Sequence, residues 1–234
     1  TSVPCRTAWP ADTDIPSYLE AISHGDYRKA YEINLEDNVF PEILGRVCSR
    51  PCEDACRHSK DGNGDSVAIC FSKRAAGDFA NSNIKLSNYS KSTNKKVAFI
   101  GSVVAGLTSS RELFRYCHKV DIFEKHKSPG GMLNQGIPIF RLPRKIIERE
   151  IKQILSWGIK LHLNKNITTF KQLNALASDY DAVVLAMGTL QANKINKQFS
   201  MCEQVEDGLD FLLRTNEYNS KTIDLASTLH AGIT

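Results

Sequence analysis

Long apolar runs are missing from this sequence. No stretch approaches the roughly 20 residues a helix needs to cross a bilayer, and residues 1–30 show no charged-then-apolar leader pattern. Lysine and arginine never gather into a block, so a net charge of +4 does not argue for nucleic acid. There is no internal repeat. No acid/base carboxylate pair, nucleophile triad or zinc-type spacing stands out. What remains is ordinary soluble-protein composition, 41% apolar and 24% charged over 234 residues, enough for one large or two small domains with a real core. The first residue is Thr rather than Met, which raises the expectation of further residues upstream.

Cysteine is the exception. There are seven, an odd number, and three fall in "CSRPCEDAC" as Cys48, Cys52 and Cys56. A spacing of four in a polar, Pro-containing segment suits thiolates converging on a metal or an iron–sulfur cluster better than a disulfide framework. That chemistry implies a reducing compartment, such as the cytoplasm. Cys70 reads either as a spare ligand or as a small buried hydrophobe in "VAIC". Cys202 has no motif context.

Residues 1–90 read as helical and irregular. "DIPSYLEAISHG" opens with Asp14 as a cap and Pro16 near the first turn, and closes at Gly25. "DYRKAYEINLEDN" repeats the pattern, with Tyr27, Ala30, Tyr31 and Leu35 at helical spacing. "SVAICFSKRAAGDFA" is an extended or strand-like piece running into a helix. "NSNIKLSNYSKSTNKK" is rich in Ser, Asn and Lys and reads as a linker.

From about residue 91 to residue 190 the pattern becomes α/β. "KVAFIG", "KVDIFEK", "IKLHLN" and "DAVVLAMG" are apolar strands. Helices lie between them, the strongest being "PRKIIEREIKQILSWG", with Ile146, Ile147, Ile151, Ile154 and Leu155 on one face and Gly158 as its stop. Such alternation predicts a parallel sheet with right-handed crossovers. Residues 191–234 form a tail with one further helix.

"VAFIGSVVAGLTSS" has the strand–glycine–turn–helix plan of a dinucleotide site, where helix N–H groups face a pyrophosphate. Glu124 ends the second strand, where a carboxylate can accept ribose hydroxyls. The alternative for Glu124 is a solvated strand-end charge. "SPGG", with Gly130 and Gly131, either lets backbone approach a ligand closely or is an ordinary turn. Arg141 either pairs a phosphate or is an exposed loop residue. Gly188 either closes the fourth strand at a cofactor or is a turn glycine.

Taken together, "GRVCSRPCEDAC", "KVAFIGSVVAGL", "GGMLNQGIPIFRLPR" and "YDAVVLAMGT" resemble the glutamate synthase small subunit and the N-terminal region of dihydropyrimidine dehydrogenase, over roughly residues 5–190. The resemblance implies an N-terminal helical iron–sulfur-type domain followed by a partial Rossmann-like FAD-binding domain. It also implies FAD and [4Fe–4S] clusters as cofactors, and electrons passing from NAD(P)H through flavin and clusters to protein partners in a larger complex. Cofactor-binding residues implied by the match are Val47, Gly101, Ser102, Val104, Ala105, Gly106, Glu124, Lys125, Gly130, Gly131, Met132, Leu133, Arg141, Ile167 and Gly188. Implied cluster ligands are Cys5, Cys48, Cys52 and Cys56. No catalytic side chain is implied.

The departures are specific. Family members read G-S-G-P-A-G where this chain has Gly101-Ser102-Val103-Val104-Ala105-Gly106, so the Cβ and two methyls of Val103 intrude where the backbone should meet the pyrophosphate. If that position needs a positive φ, valine is strained there in addition. In "YCHKV" the family has glycine where Cys117 must serve as the left-handed helix stop. The family's first cysteine segment, C-x2-C-x4-C-x3-C-P, matches Cys5 at its third position and Trp9 at its fourth; its first two would precede residue 1. By family pairing, one cluster takes those two with Cys5 and Cys56. The other takes the Trp9 position, Cys48, Cys52 and a side chain near Lys73. Indole offers iron no lone pair and lysine is a poor ligand. No second G-x-G-x-x-G unit for NADPH occurs in the sequence. An alternative function is therefore a catalytically silent relative that keeps the fold as an assembly subunit.

Overall fold

The computed structural model describes residues 3–80, 84, 87–189, 191 and 205–218. Cys202 lies outside them. The helical segment comprises α1 (Pro4–Ala8), α2 (Ile15–Ser23), α3 (Tyr27–Asp37), α4 (Pro41–Val47), α5 (Pro51–Asp54), α6 (Arg57–Lys60) and α7 (Ile69–Phe79). Then follow β1 (Lys96–Ile100), α8 (Val104–Arg115), β2 (Lys119–Phe123), α9 (Met132–Gln135), α10 (Arg144–Ser156), β3 (Lys160–His162), α11 (Phe170–Asp179), β4 (Ala182–Leu185) and α12 (Gly208–Tyr218).

The four strands form one parallel sheet in the order β3-β2-β1-β4. This is the strand arrangement of a Rossmann half, with the loops after the strands gathered at one end. The expected class, helices followed by a partial Rossmann-like unit, is the one observed. Val97, Phe99, Val120 and Ile122 of the sheet pack with Leu107 of α8 and with Ile146, Ile147, Ile151 and Ile154 of α10. Edge strand β4 leaves Leu185 and, just beyond it, Met187 exposed.

Local signals explain the ends. The Asp14 carboxylate accepts the Ser17 N–H and caps α2, and Asp26 does the same for α3 through Lys29. Thr169 and Gln172 form a reciprocal capping box on α11. Cys117 takes φ 62°, the Cys117 N–H donates to Phe114 O and the His118 N–H to Leu113 O, which is a Schellman ending built on a non-glycine residue. The piece before α7 joins no strand and closes on a tight turn, with the Ile69 N–H donating to Val67 O at 2.7 Å.

Two features tie the helical segment to the sheet. Helix α4 has no side-chain cap of its own; its Glu42 and Ile43 N–H groups instead donate to the Glu150 carboxylate of α10, at 2.8 and 3.0 Å. Arg111 and Arg115 of α8 are 1% and 2% exposed and reach the C-terminal end of α3. Arg111 donates to Leu35 O and Glu36 O, while Arg115 pairs with the Glu36 carboxylate and covers the Tyr89 ring. The stretch read as a linker is anchored as well. Ile84 is buried, and its carbonyl accepts from both Gln153 Nε2 and the Trp157 indole N–H.

Candidate nucleotide site and cysteine cluster

The end of β1 turns at Gly101, whose φ of 104° is open only to glycine, and a Cβ there would strike the backbone of Ala186 and Met187. Gly106 lets α8 press against the Gly101 carbonyl, a contact any side chain would break. These two glycines set the strand–helix turn. Val103 is the N-cap of α8 with φ −76° and ψ 176°, an ordinary extended conformation. The strain expected from a positive φ is therefore not present. The consequence of the valine is its volume. Its Cγ1 lies 2.5 Å from where a Cβ on Gly131 would sit and 3.7 Å from one on Gly188. The side chain thus occupies the gap between the three backbone segments that meet above the turn.

Beyond it opens a cavity of about 250 Å³ at the carboxyl ends of the strands. Gly101, Glu124, Lys125, Gly131, Ile167 and Gly188 line it together, along with Val103. Sequence reading missed His126, Lys165, Thr168 and Met187, which also face it. Their only signal was position: each follows the end of a strand, where an open α/β sheet holds ligands.

Glu124 is 4% exposed, so it is not a solvated strand-end charge. One carboxylate oxygen accepts the Ser102 N–H at 2.9 Å and the Ser102 hydroxyl at 2.6 Å; the other accepts the His126 N–H at 2.9 Å. A carboxylate offers about four lone-pair positions, so one is left to face the cavity. Ser102 is therefore the partner that holds Glu124. Val104 and Ala105 open α8, where the N–H groups lack intrahelical acceptors.

The other expected cofactor residues stand elsewhere. Val47 packs half-buried against the sheet core. Gly130 and Leu133 are buried behind the turn, and Met132 is exposed. Arg141 is exposed and outside the lining. Its neighbour Arg144 is committed to structure, donating to Leu133 O and Ile137 O.

The cysteines divide into two neighbourhoods. Burial pushes the Cys5 thiol up, and Cys56 is near enough to add to the effect. Burial also raises Cys52, to about 11, against the opposing charge of Lys73 and with Cys48 adding. Cys70 is raised in the same way, and its thiol points to the Leu44 and Gly45 carbonyls, as a buried structural residue does. Lys73 itself is 3% exposed; burial lowers its pKa, opposed by the charges of Cys70, Cys48 and Cys52. Its Nζ sits 3.9 Å from the centroid of the Trp9 ring. Among the described residues no group of three or more His, Cys, Asp or Glu side chains is placed to hold a metal ion. The donors present do not fit a four-thiolate cluster. No helix among the described residues is long and apolar enough to cross a membrane.

Comparison with known proteins supplies the context. The family described as dihydropyrimidine dehydrogenase domain II, 4Fe-4S cluster, matches residues 1–84. The chain is 35% identical over 211 residues to the NADP(+)-dependent formate dehydrogenase subunit beta of Moorella thermoacetica, covering 80% of this chain and 29% of that protein. It is 31% identical over 217 residues to the NAD-dependent dihydropyrimidine dehydrogenase subunit PreT of Salmonella typhimurium, covering 92% of this chain and 52% of that one. It is 33% identical over 213 residues to the glutamate synthase [NADPH] small chain of Escherichia coli, covering 89% and 45%. The chain is thus related to the glutamate synthase small chain and PreT family, and spans about half or less of these relatives' lengths.

Proposed function

We propose that this chain is the nucleotide-binding module of an FAD-type NAD(P)H oxidoreductase assembly, with residues 1–90 as a cluster-derived docking domain and 91–190 as the flavin-type domain. The observation that carries this reading is the cavity at the strand ends, where Gly101, Glu124, Lys125, Gly131, Ile167 and Gly188 converge. Glu124, fixed by Ser102 and His126, orients ribose hydroxyls. Lys125 and Lys165 bring positive charge to the cavity rim, and the first turn of α8 presents N–H groups toward a phosphate. FAD, when bound, accepts a hydride and releases electrons one at a time. Everything this chain contributes is binding and orientation.

At about 250 Å³ the cavity lies below the roughly 300–1,000 Å³ of most ligand pockets. It accommodates the adenosine end of a dinucleotide, and Val103 narrows the way onward. The relatives' names describe beta, small and PreT subunits, which supports a partner subunit here too. The exposed Leu185 of edge strand β4 supports further polypeptide seated on that edge.

A second reading is favoured by Val103: a catalytically silent relative retained as an assembly subunit. The two separate on flavin content. The purified full chain, incubated with FAD and gel-filtered, should retain flavin at about one per chain, reducible by dithionite, if the redox reading holds. A colourless protein that still joins its partner supports the assembly role.

A further inference from the structure

We infer that Trp9 and Lys73 are a built replacement for an iron–sulfur cluster, closing that position of the helical domain so that it folds without iron. The inference uses the family match for what the position is, and is independent of whether the sheet binds a nucleotide.

The two side chains come from opposite ends of the segment that matches the 4Fe–4S family. Both are inside the protein, at 8% and 3% exposure. A buried ammonium must be compensated, and here the compensation is the π face of the indole, at 3.9 Å. The indole also supplies volume: Trp9 packs in one core with Cys52, Tyr18, Ile69 and Ala76. Around the ammonium stand Cys48, Cys52 and Cys70. The pair therefore provides, in one contact, a fixed positive charge beside the thiols and a filled interior.

Iron cannot share this arrangement. An indole has no lone pair to give, and a protonated lysine has none either. Only Cys48 and Cys52 remain of the ligands the position requires. Cys70 is turned to backbone carbonyls. A polar, iron-ready cavity left half empty would cost stability, and the Trp9–Lys73 contact removes both the void and the unpaired charge.

The test is iron and sulfide content after anaerobic reconstitution of the full chain, in a Cys5→Ser/Cys56→Ser background so that the other thiol pair does not contribute. The expected result is less than one iron per ten chains, and a melting temperature unchanged by a strong iron chelator. The Trp9→Cys/Lys73→Cys double variant in that background should take up close to four irons per chain and turn brown. Four irons bound with Trp9 and Lys73 in place, or a melting temperature lowered by the chelator, overturns the inference. A folded double variant that binds no iron also overturns it, because the position would then not be a cluster position at all. If the double variant does not fold, the chelator and iron measurements on the parent chain decide the question alone.

Discussion

The Glu150 carboxylate of α10 receives the N–H groups of Glu42 and Ile43 and so caps α4 from another helix. Burial pushes its pKa up to about 8, the charge of Glu42 adds to the rise, and the two N–H groups oppose it. The folded chain therefore holds a proton on Glu150 that the unfolded chain, with a value near 4.5, releases. Between these values the native state binds more protons, so stability falls as pH rises. Urea midpoints should drop steadily from pH 5.5 to pH 8.5, and the slope should be smaller in Glu150→Gln. That variant should also be less stable at pH 5.5, since an amide accepts only one of the two N–H groups. A midpoint that stays level over this range, with the same slope in Glu150→Gln, would mean that Glu150 caps α4 as a charged carboxylate.

Arg111 joins the two halves of the molecule. It is buried, and its guanidinium donates to the carbonyls that end α3. In Arg111→Leu the Leu35 carbonyl loses its donor within the interior, while Glu36 O keeps only Arg115 Nη1 at 3.5 Å. The cost should be about 1–3 kcal/mol, read as a lower urea midpoint. Fluorescence and far-UV dichroism should still unfold together, because the sheet core does not depend on this residue. Arg28→Leu, on the exposed face of α3, should change the midpoint little.

Cys117 holds a left-handed conformation where glycine is favoured. Relief of that conformation is worth about 1–2 kcal/mol, against about 0.5–1 kcal/mol of added chain entropy in glycine. Cys117→Gly also loses the thiol contact to Ser90 O. A net gain of about 0.5 kcal/mol or a little more in unfolding free energy is expected. A clear loss would show that the thiol contact outweighs the backbone term.

Much of the fold was legible because the signals were local. Asp14 and Gly25 bound α2, the isoleucines of α10 share a face, and four apolar strands alternate with helices. The αL role of Cys117 followed from the helix stop it replaces. What was not legible depends on partners distant in sequence. Arg111 and Arg115 carry no signal in the sequence, because nothing near them reveals the carbonyls of α3. The stretch after α7 reads as a linker by composition, yet Ile84 is anchored by Gln153 and Trp157. Trp9 and Lys73 each read as a lost ligand, and only the fold brings them into contact. At the nucleotide site the residues at strand ends were found in part. Val103 was expected to intrude through its Cβ and methyls, with added strain only if its φ were positive; its φ is −76°, so the space its side chain fills is what remains.

The most direct measurement is the affinity of the full chain for FAD and for adenosine, by fluorescence and calorimetric titration, with Val103 present and in Val103→Gly. Removing the side chain opens the gap beside Gly131 and Gly188 and leaves Glu124 with its Ser102 and His126 contacts in place. The expected result is FAD binding at least tenfold tighter in Val103→Gly, about 1.4 kcal/mol, with adenosine affinity unchanged within a factor of two. Neither ligand binding either protein would contradict a retained nucleotide site, and so would an FAD affinity that Val103→Gly leaves unchanged.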